Sequence, residues 1–240
     1  GARLVALGKK DGGVRPIACG DVLRRLSAKV LCASVAGKAG QLLPRWHQIA
    51  VATQGGAEGL IHLLRRLSED WQQNDAKCSV KLDWRNAFNS ISRKVIFEAT
   101  NEHFPELNGY IEAAYRETML WFSTEPIHSS SGVQQGDPLG PLLFAIALAR
   151  IWQNTLDGLT NSSDGPTGID LAGWYLDDGV LAGSVAEVAR LVAAIRDTAA
   201  GAGLVLNLTK CEGVSSISGA AAAKQSFVDA GVPIDIWRSF

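Results

Sequence analysis

The stretch Gly173-Trp174-Tyr175-Leu176-Asp177-Asp178-Gly179-Val180-Leu181-Ala182-Gly183 constrains this chain more than any other. Apolar residues flank two adjacent acids followed directly by glycine, a pattern that predicts two short strands with the acids at the hairpin turn between them. Neighbouring carboxylates are costly to bury beside apolar strands unless positive charge is supplied. A divalent cation taking hard oxygen ligands, Mg²⁺ foremost, is the simplest remedy. The plain alternative is a solvated Asp-Asp-Gly turn, and only the remainder of the chain can decide between the two.

With 240 residues the chain can bury one substantial core or divide into two lobes. Its 47% hydrophobic and 20% charged content is that of a globular protein. A formal net charge of -1 gives no global basic field of the kind that advertises nucleic-acid binding. Cys19, Cys32, Cys78 and Cys211 are scattered, as are His47, His62, His103 and His128. That spacing argues against a zinc site or a disulfide framework and for a reducing, intracellular compartment, nuclear or cytoplasmic. The longest apolar run, 139–152, contains Arg150 and is too short to span a bilayer, so no membrane partner is expected. No signal peptide opens the sequence, and both ends look cut, so a piece of a longer polypeptide is expected.

Near the start, Gly8-Lys9-Lys10-Asp11-Gly12-Gly13-Val14-Arg15-Pro16-Ile17 has the form of a hairpin with a D-G-G turn. Lys9 or Lys10 on one arm and Arg15 on the other suit a polyphosphate, Arg by planar bidentate contacts and Lys as a point charge. A solvated charged turn is the alternative. Asp21 should cap a helix over 22–36, with Leu23, Leu26, Val30 and Leu31 on one face and Gly37 and Gly40 ending or interrupting it. A second helix is expected over 57–73, with Leu60, Leu63, Leu64 and Leu67 inward and Arg65, Arg66 and Glu69 in solvent.

Residues 79–83 read as a strand ending in Asp83, followed by a turn and a helix over 92–102. A carboxylate at a strand's carboxyl end is where open α/β sheets place ligand contacts. Residues 107–120 are expected to be helical and 121–128 extended. In Gln135-Gly136-Asp137-Pro138, Asp137 and Pro138 read as N-cap and first residue of a helix over 139–156. Gln135 and Gly136 ahead of it offer an amide and bare backbone to a flat group. A loop over 161–166 precedes the Asp-Asp hairpin. Ser184 should cap a helix over 185–200 carrying Val188, Leu191, Val192 and Ile195, before a strand over 204–208 that leads to Lys210.

Asp83 beside the Asp177-Asp178 hairpin would gather three carboxylates at one end of a sheet. Such a group stays ionised only with cations. Two metal ions about 3.5–4 Å apart would satisfy it and form the clamp used for in-line phosphoryl displacement. Metal-assisted phosphoryl transfer is the chemistry these residues point to.

Five ordered stretches resemble the motifs of reverse transcriptases, nearest those of non-LTR retrotransposons and group II introns. They are Lys9 to Ile17, Leu82-Asp83 to Phe88, Gln135-Gly136-Asp137-Pro138-Leu139, Tyr175-Leu176-Asp177-Asp178, and Gly203-Leu204 to Lys210. The resemblance implies an α+β fold with the fingers and palm of a right-hand polymerase, a ferredoxin-like palm sheet backed by helices, and a thumb absent or truncated. It implies fingers over 1–78 and 92–134, palm over 79–91 and 135–219, and the start of a connection to a missing thumb over 220–240.

It further implies an RNA-directed DNA polymerase core that adds dNTPs to a primer 3′-hydroxyl by two-metal phosphoryl transfer. The implied partners are an RNA template, a DNA or RNA primer, dNTPs and other domains of a longer polyprotein, with two Mg²⁺ ions (Mn²⁺ as substitute). Asp83 and Asp177 match the acids that bridge the metals, Asp178 the third carboxylate, and the carbonyl of Trp84 a backbone ligand. Lys9 and Arg15 match triphosphate-gripping residues, with Lys10 competing for the role of Lys9. Gln135 and Gly136 match the nucleotide and template side of the pocket, Tyr175 a residue near the primer terminus, and Lys210 the general acid for pyrophosphate.

Phe88 matches the bulky residue beneath the sugar, where an aromatic ring excludes a 2′-hydroxyl by volume. An RNA-dependent RNA polymerase is one alternative, disfavoured because that class resembles this arrangement with an acid at the Phe88 position. A catalytically inactive retroelement relic that only binds nucleic acid is the other. Asn89 departs from the family, many of whose members have Asp there, and the near-neutral charge implies that the isolated fragment binds nucleic acid poorly.

Overall fold

A computed structural model describes residues 1–9, 12–116, 118–160 and 168–240; Lys10 and the loop expected over 161–166 lie outside this set. The chain opens with an antiparallel hairpin, β1 (Ala2–Gly8) and β2 (Val14–Gly20), as the D-G-G signature predicts. Asp21 then caps α1 (Val22–Leu42), its carboxylate accepting the amide of Arg24 at 2.9 Å. The helix runs straight through Gly37 and Gly40. Gly40 serves a close approach instead of a stop, since a β-carbon there would lie 2.9 Å from the carbonyl oxygen of Ala52. The expected inward face is also displaced: Ala28, Val35 and Ala39 are buried, while Leu23, Leu26 and Val30 are exposed. Small residues let α1 lie close to the body, and the larger ones remain outside.

Helix α2 (Gly56–Asp70) sets Leu60, Leu64 and Leu67 half-buried, with Leu63 in solvent. Strand β3 (Lys77–Leu82) is followed by the single turn α3 (Ala87–Ser90), then α4 (Arg93–His103) and α5 (Asn108–Tyr115). The helix expected over 107–120 stops at Tyr115, because Thr118 begins a second hairpin, β4 (Thr118–Phe122) and β5 (Glu125–Ser129). The rest is α6 (Gly140–Thr160), β6 (Ile169–Tyr175), β7 (Asp178–Ser184), α7 (Val185–Ala200), β8 (Glu212–Ser215), α8 (Ala220–Asp229) and β9 (Ile236–Ser239). The strand expected over 204–208 is only a single bridge between Trp84 and Leu206; pairing resumes at β8.

These strands form two sheets. The smaller has the order β2-β1-β4-β5, with β1 and β4 parallel. The larger has the order β6-β7-β3-β8-β9. Its first four strands, with α6 between β3 and β6 and α7 between β7 and β8, follow the ferredoxin-like β-α-β-β-α-β path. Residues 220–240 fold back onto this sheet, where β9 pairs parallel with β8 and Phe227, Val232 and Ile234 are fully buried.

Helix α6 is buried along much of its length because it packs against the 3-10 turn Leu43–Trp46, α4 and α7, and its Trp152 meets Trp174 of β6. No helix among the described residues is long and apolar enough to cross a membrane. Arg93, at the start of α4, is buried and donates to the carbonyls of Tyr115 at 2.7 Å and Gly132 at 3.1 Å, and also to Ser129. A cation held by backbone oxygens is thereby used to join α5, β5 and the loop ahead of α6.

Behind the Asp-Asp hairpin stands a column of rings. Trp84 stacks on Trp174 with centroids 6.1 Å apart, Trp152 meets Trp174 edge-on at 5.6 Å, and Trp152 Nε1 donates to His47 Nδ1 at 3.0 Å. Burial lowers the His47 pKa from its ordinary value of 6.5, so the native state holds fewer protons than the unfolded chain in the window just below 6.5. Stability contributed by His47 is therefore complete above about pH 6.5 and declines as the pH falls through that window. Urea unfolding is expected to show a lower midpoint at about pH 5.5 than at about pH 7, with His47→Gln narrowing the difference. An undiminished difference in that variant would assign the acid sensitivity elsewhere.

Candidate active site

The antiparallel register of β3 on β7 ends with Leu82 opposite Gly179, which leaves Asp83 and Asp178 as the next residues outward on the same edge. On the other side of β7, Tyr175 pairs with Asp178, so Leu176 and Asp177 alone make the turn. Leu176 has a positive φ of 55°, at a position where glycine is the usual choice in a two-residue hairpin. Gly179 lies within β7 and does not form the turn. It is required because a β-carbon would come within 2.3 Å of the Trp174 ring.

Asp83 and Asp177 line one cavity of about 310 Å³. Lys210 lines it too, carried there by a loop that hydrogen-bonds to the residues around Asp83. Asn207 N donates to the Asp83 carbonyl at 2.8 Å, Arg85 N to Val205 O at 2.8 Å, and Lys210 N to Asn207 O at 2.8 Å. Lys9 and Arg15 line the same cavity. The hairpin bearing them is docked where Ala18 N donates to the Gln135 carbonyl at 2.6 Å. Gly136, at φ 109°, permits this approach, since a β-carbon there would lie 2.7 Å from Ala18 O.

Gln135 and Phe88 line the same cavity and also an adjoining one of about 320 Å³, to which Gly136 contributes. The Phe88 ring lies flat on Phe144 of α6, with centroids 4.5 Å apart and planes 9° from parallel. It is a fixed wall. Trp84 reaches the cavity although its side chain is buried against Trp174.

Two of the anticipated residues stand apart from this lining. Asp178 is on the rim and its side chain is half exposed, with an oxygen 3.5 Å from Lys81 Nζ. Tyr175 is 41% exposed and also lies outside the cavity. Lys81, which no sequence motif singles out, sits on β3 and gives Asp178 a screened partner in solvent.

Burial raises the pKa of Asp177, and the charges of Asp178 and Asp83 add to the rise; its own backbone amide and the Arg15 guanidinium oppose it. Negative charge is thus in excess at Asp177, which favours a cation there. Among the described residues no three His, Cys, Asp or Glu side chains converge to hold a metal by themselves. Asp83, Asp177 and the Trp84 carbonyl still suit Mg²⁺, which takes one or two carboxylates and completes its shell with water and substrate phosphate.

Asp137 proves to be more than a helix start. Its carboxylate accepts the Leu139 amide at 3.0 Å, as expected near a helix N-terminus, although α6 begins at Gly140. It also accepts the hydroxyls of Tyr110 at 3.1 Å and Tyr115 at 2.9 Å and pairs with Arg24 at 3.2 Å. Burial, reinforced by Asp137, pushes the Tyr110 hydroxyl up to about 12, so it remains a donor. The donors come from α1 and α5, far away in sequence, and no local pattern around Asp137 announces them.

A profile of the family described as reverse transcriptase (RNA-dependent DNA polymerase) matches residues 7–229. The Retrotransposable element SLACS 132 kDa protein of Trypanosoma brucei gambiense is 28% identical over 220 residues, which are 87% of this chain and 17% of that protein. The chain therefore spans about a sixth of the length of this relative. Among solved structures, apo telomerase from Candida tropicalis superposes with a TM-score of 0.65 at 10% identity, over 91% of this chain and 45% of that one. A chain from the segmented genome and RNA polymerase complex inside a dsRNA virus gives 0.61 at 13% identity, over 86% and 20%. These two likenesses establish the fold, that of polymerase fingers and palm. With the profile covering most of its length, the chain belongs to the reverse transcriptase (RNA-dependent DNA polymerase) family.

Proposed function

We propose that this chain is the polymerase core of a longer retroelement protein and adds deoxynucleotides to the 3′-hydroxyl of a DNA or RNA primer on an RNA template. The observation that most supports this is the meeting of Asp83, Asp177 and Lys210 with Lys9 and Arg15 around one cavity of about 310 Å³. On this reading the larger sheet, with residues 79–91 and 135–219, is the palm, and residues 1–78 and 92–134 are the fingers.

Asp83, Asp177 and the Trp84 carbonyl are the residues that would hold Mg²⁺ or Mn²⁺, with Asp178 available from the rim. The chemistry two such ions supply is activation of the attacking hydroxyl and neutralisation of the departing pyrophosphate. The chain's own groups do the rest. Arg15 and Lys9 grip the triphosphate by fork and point charge. Lys210 donates a proton to the leaving pyrophosphate oxygen. Gln135 and Gly136 line the nucleotide and template side of the pocket, and Tyr175 lies near the primer terminus.

Phe88 selects the sugar. A ring seated flat on Phe144 cannot swing aside without losing that contact, and it offers no hydrogen bond to a 2′-hydroxyl. Deoxynucleotides fit against it and ribonucleotides collide with it.

Primer extension by the full-length parent protein, with an RNA template, dNTPs and Mg²⁺, is the decisive experiment. Extension is expected, and Asp177→Ala should abolish it; activity surviving that change would reject the metal assignment. Phe88→Val should raise the use of NTPs relative to dNTPs on the order of tenfold, the scale on which apolar pockets discriminate by bulk. An unaltered ratio would remove Phe88 from the sugar pocket. Lys210→Ala should slow the single-turnover rate by roughly 10²-fold with little change in dNTP binding, the usual loss for a general acid. Weaker dNTP binding at an intact rate would instead make Lys210 a phosphate ligand.

A further inference from the structure

Residues 47–50 run alongside β6 without joining the sheet as a strand. Trp174 N donates to His47 O at 2.7 Å and Ile49 N to Trp174 O at 2.9 Å, which places Gln48 beside the turn that carries Asp177. Gln48 is completely buried, at 0% exposure. Its side-chain amide works in both directions on one residue. Nε2 donates to the Leu176 carbonyl at 3.2 Å, and Oε1 accepts the Leu176 amide at 3.0 Å and that of Ala50 at 3.3 Å.

Leu176 is a non-glycine residue with a positive φ of 55°. A branched side chain in that region is strained and persists only when its surroundings over-determine it. Gln48 supplies that determination, because without its amide both backbone polar groups of Leu176 lose the partner recorded for them. Gln48 does not line the cavity. Whatever it contributes to reaction passes through the backbone of Leu176 to Asp177, the very next residue.

We infer that Gln48 is a positioning residue: its amide clamps Leu176 in the left-handed conformation and thereby sets the direction in which Asp177 enters the active-site cavity. The kinetic part of this inference rests on the polymerase reading; the clamp itself does not. The relation is also specific. An apolar side chain of the same volume would fill the space and leave the turn unheld, whereas Glu would keep the acceptor for the Leu176 amide and lose the donor to its carbonyl.

The test uses Gln48→Met and Gln48→Glu in the full-length protein, read by hydrogen exchange and by single-turnover dNTP addition. In Gln48→Met, exchange of the Leu176 amide should accelerate roughly tenfold or more while α6 stays protected, and the addition rate should fall by a comparable factor with the dNTP KM unchanged. Gln48→Glu should restore protection of Leu176. Wild-type exchange at Leu176 in Gln48→Met, or a raised KM at an intact rate, overturns the inference. Should Gln48→Met lose α6 protection as well, Gln48→Glu decides: protection at Leu176 with a reduced rate supports the clamp, and exposure of Leu176 in a folded protein refutes it. If the unmodified protein extends no primer, the polymerase reading fails, and the exchange measurements still decide the clamp.

Discussion

The antiparallel pairing of β3 with β7, Leu82 opposite Gly179, brings together acids that are remote in the chain, and the rest of the site is arranged around that meeting. Side chains alternate faces along a strand, so a slip of one residue would turn Asp83 to the opposite side and break up the cavity. The register is held from several directions. Val80 and Leu82 are fully buried on one face, the Trp174 ring occupies the space above Gly179, and the 205–207 segment is bonded to both sides of Trp84. Apolar packing thus fixes where charge is placed, and the Lys81–Asp178 pair across this edge, with both side chains exposed, adds little.

Elsewhere charge does organise the structure. Arg93 and Asp137 are both buried, and each is surrounded by groups of complementary character: carbonyls around the cation, hydroxyls, an amide and a guanidinium around the anion. A buried ion is tolerable only with its bonding capacity met. Losing a single partner would leave an uncompensated charge, so these two clusters commit α1, α4, α5 and the second hairpin to one mutual arrangement. Arg93 binds the Gly132 carbonyl and Asp137 follows Gly136, so both clusters hold the segment on which the first hairpin docks.

Much of this was legible in the sequence. The two hairpins at the ends of the site, the acid after β3, and the helices α4, α6 and α7 follow from alternation, helical periodicity and turn residues. Asp83, Asp177, Lys210, Lys9, Arg15, Phe88 and Gln135 do meet in one place. The errors have physical causes. Helix α1 buries its alanines, a face that a hydrophobic pattern ranks below leucine, and the glycines that seemed to stop it answer to a neighbour in space. Residues 204–208 are apolar enough for a strand, yet their backbone bonds serve the Asp83 loop. Gln48, Lys81 and the full set of Asp137 donors were illegible because each acts through a partner that only tertiary structure supplies.

The docking of Ala18 on Gln135 has a mechanical meaning. A short main-chain bond backed by a glycine that admits no side chain is a rigid joint, and it sits at the base of the first hairpin, between the tip that bears Lys9 and Arg15 and the helix that follows. Whatever travel those two cations have is therefore that of a cantilever anchored at Ala18. A push on them would bend only the outer ends of β1 and β2, because β1 is tied to β4 at Ala2 and Arg3, on the far side of that anchor.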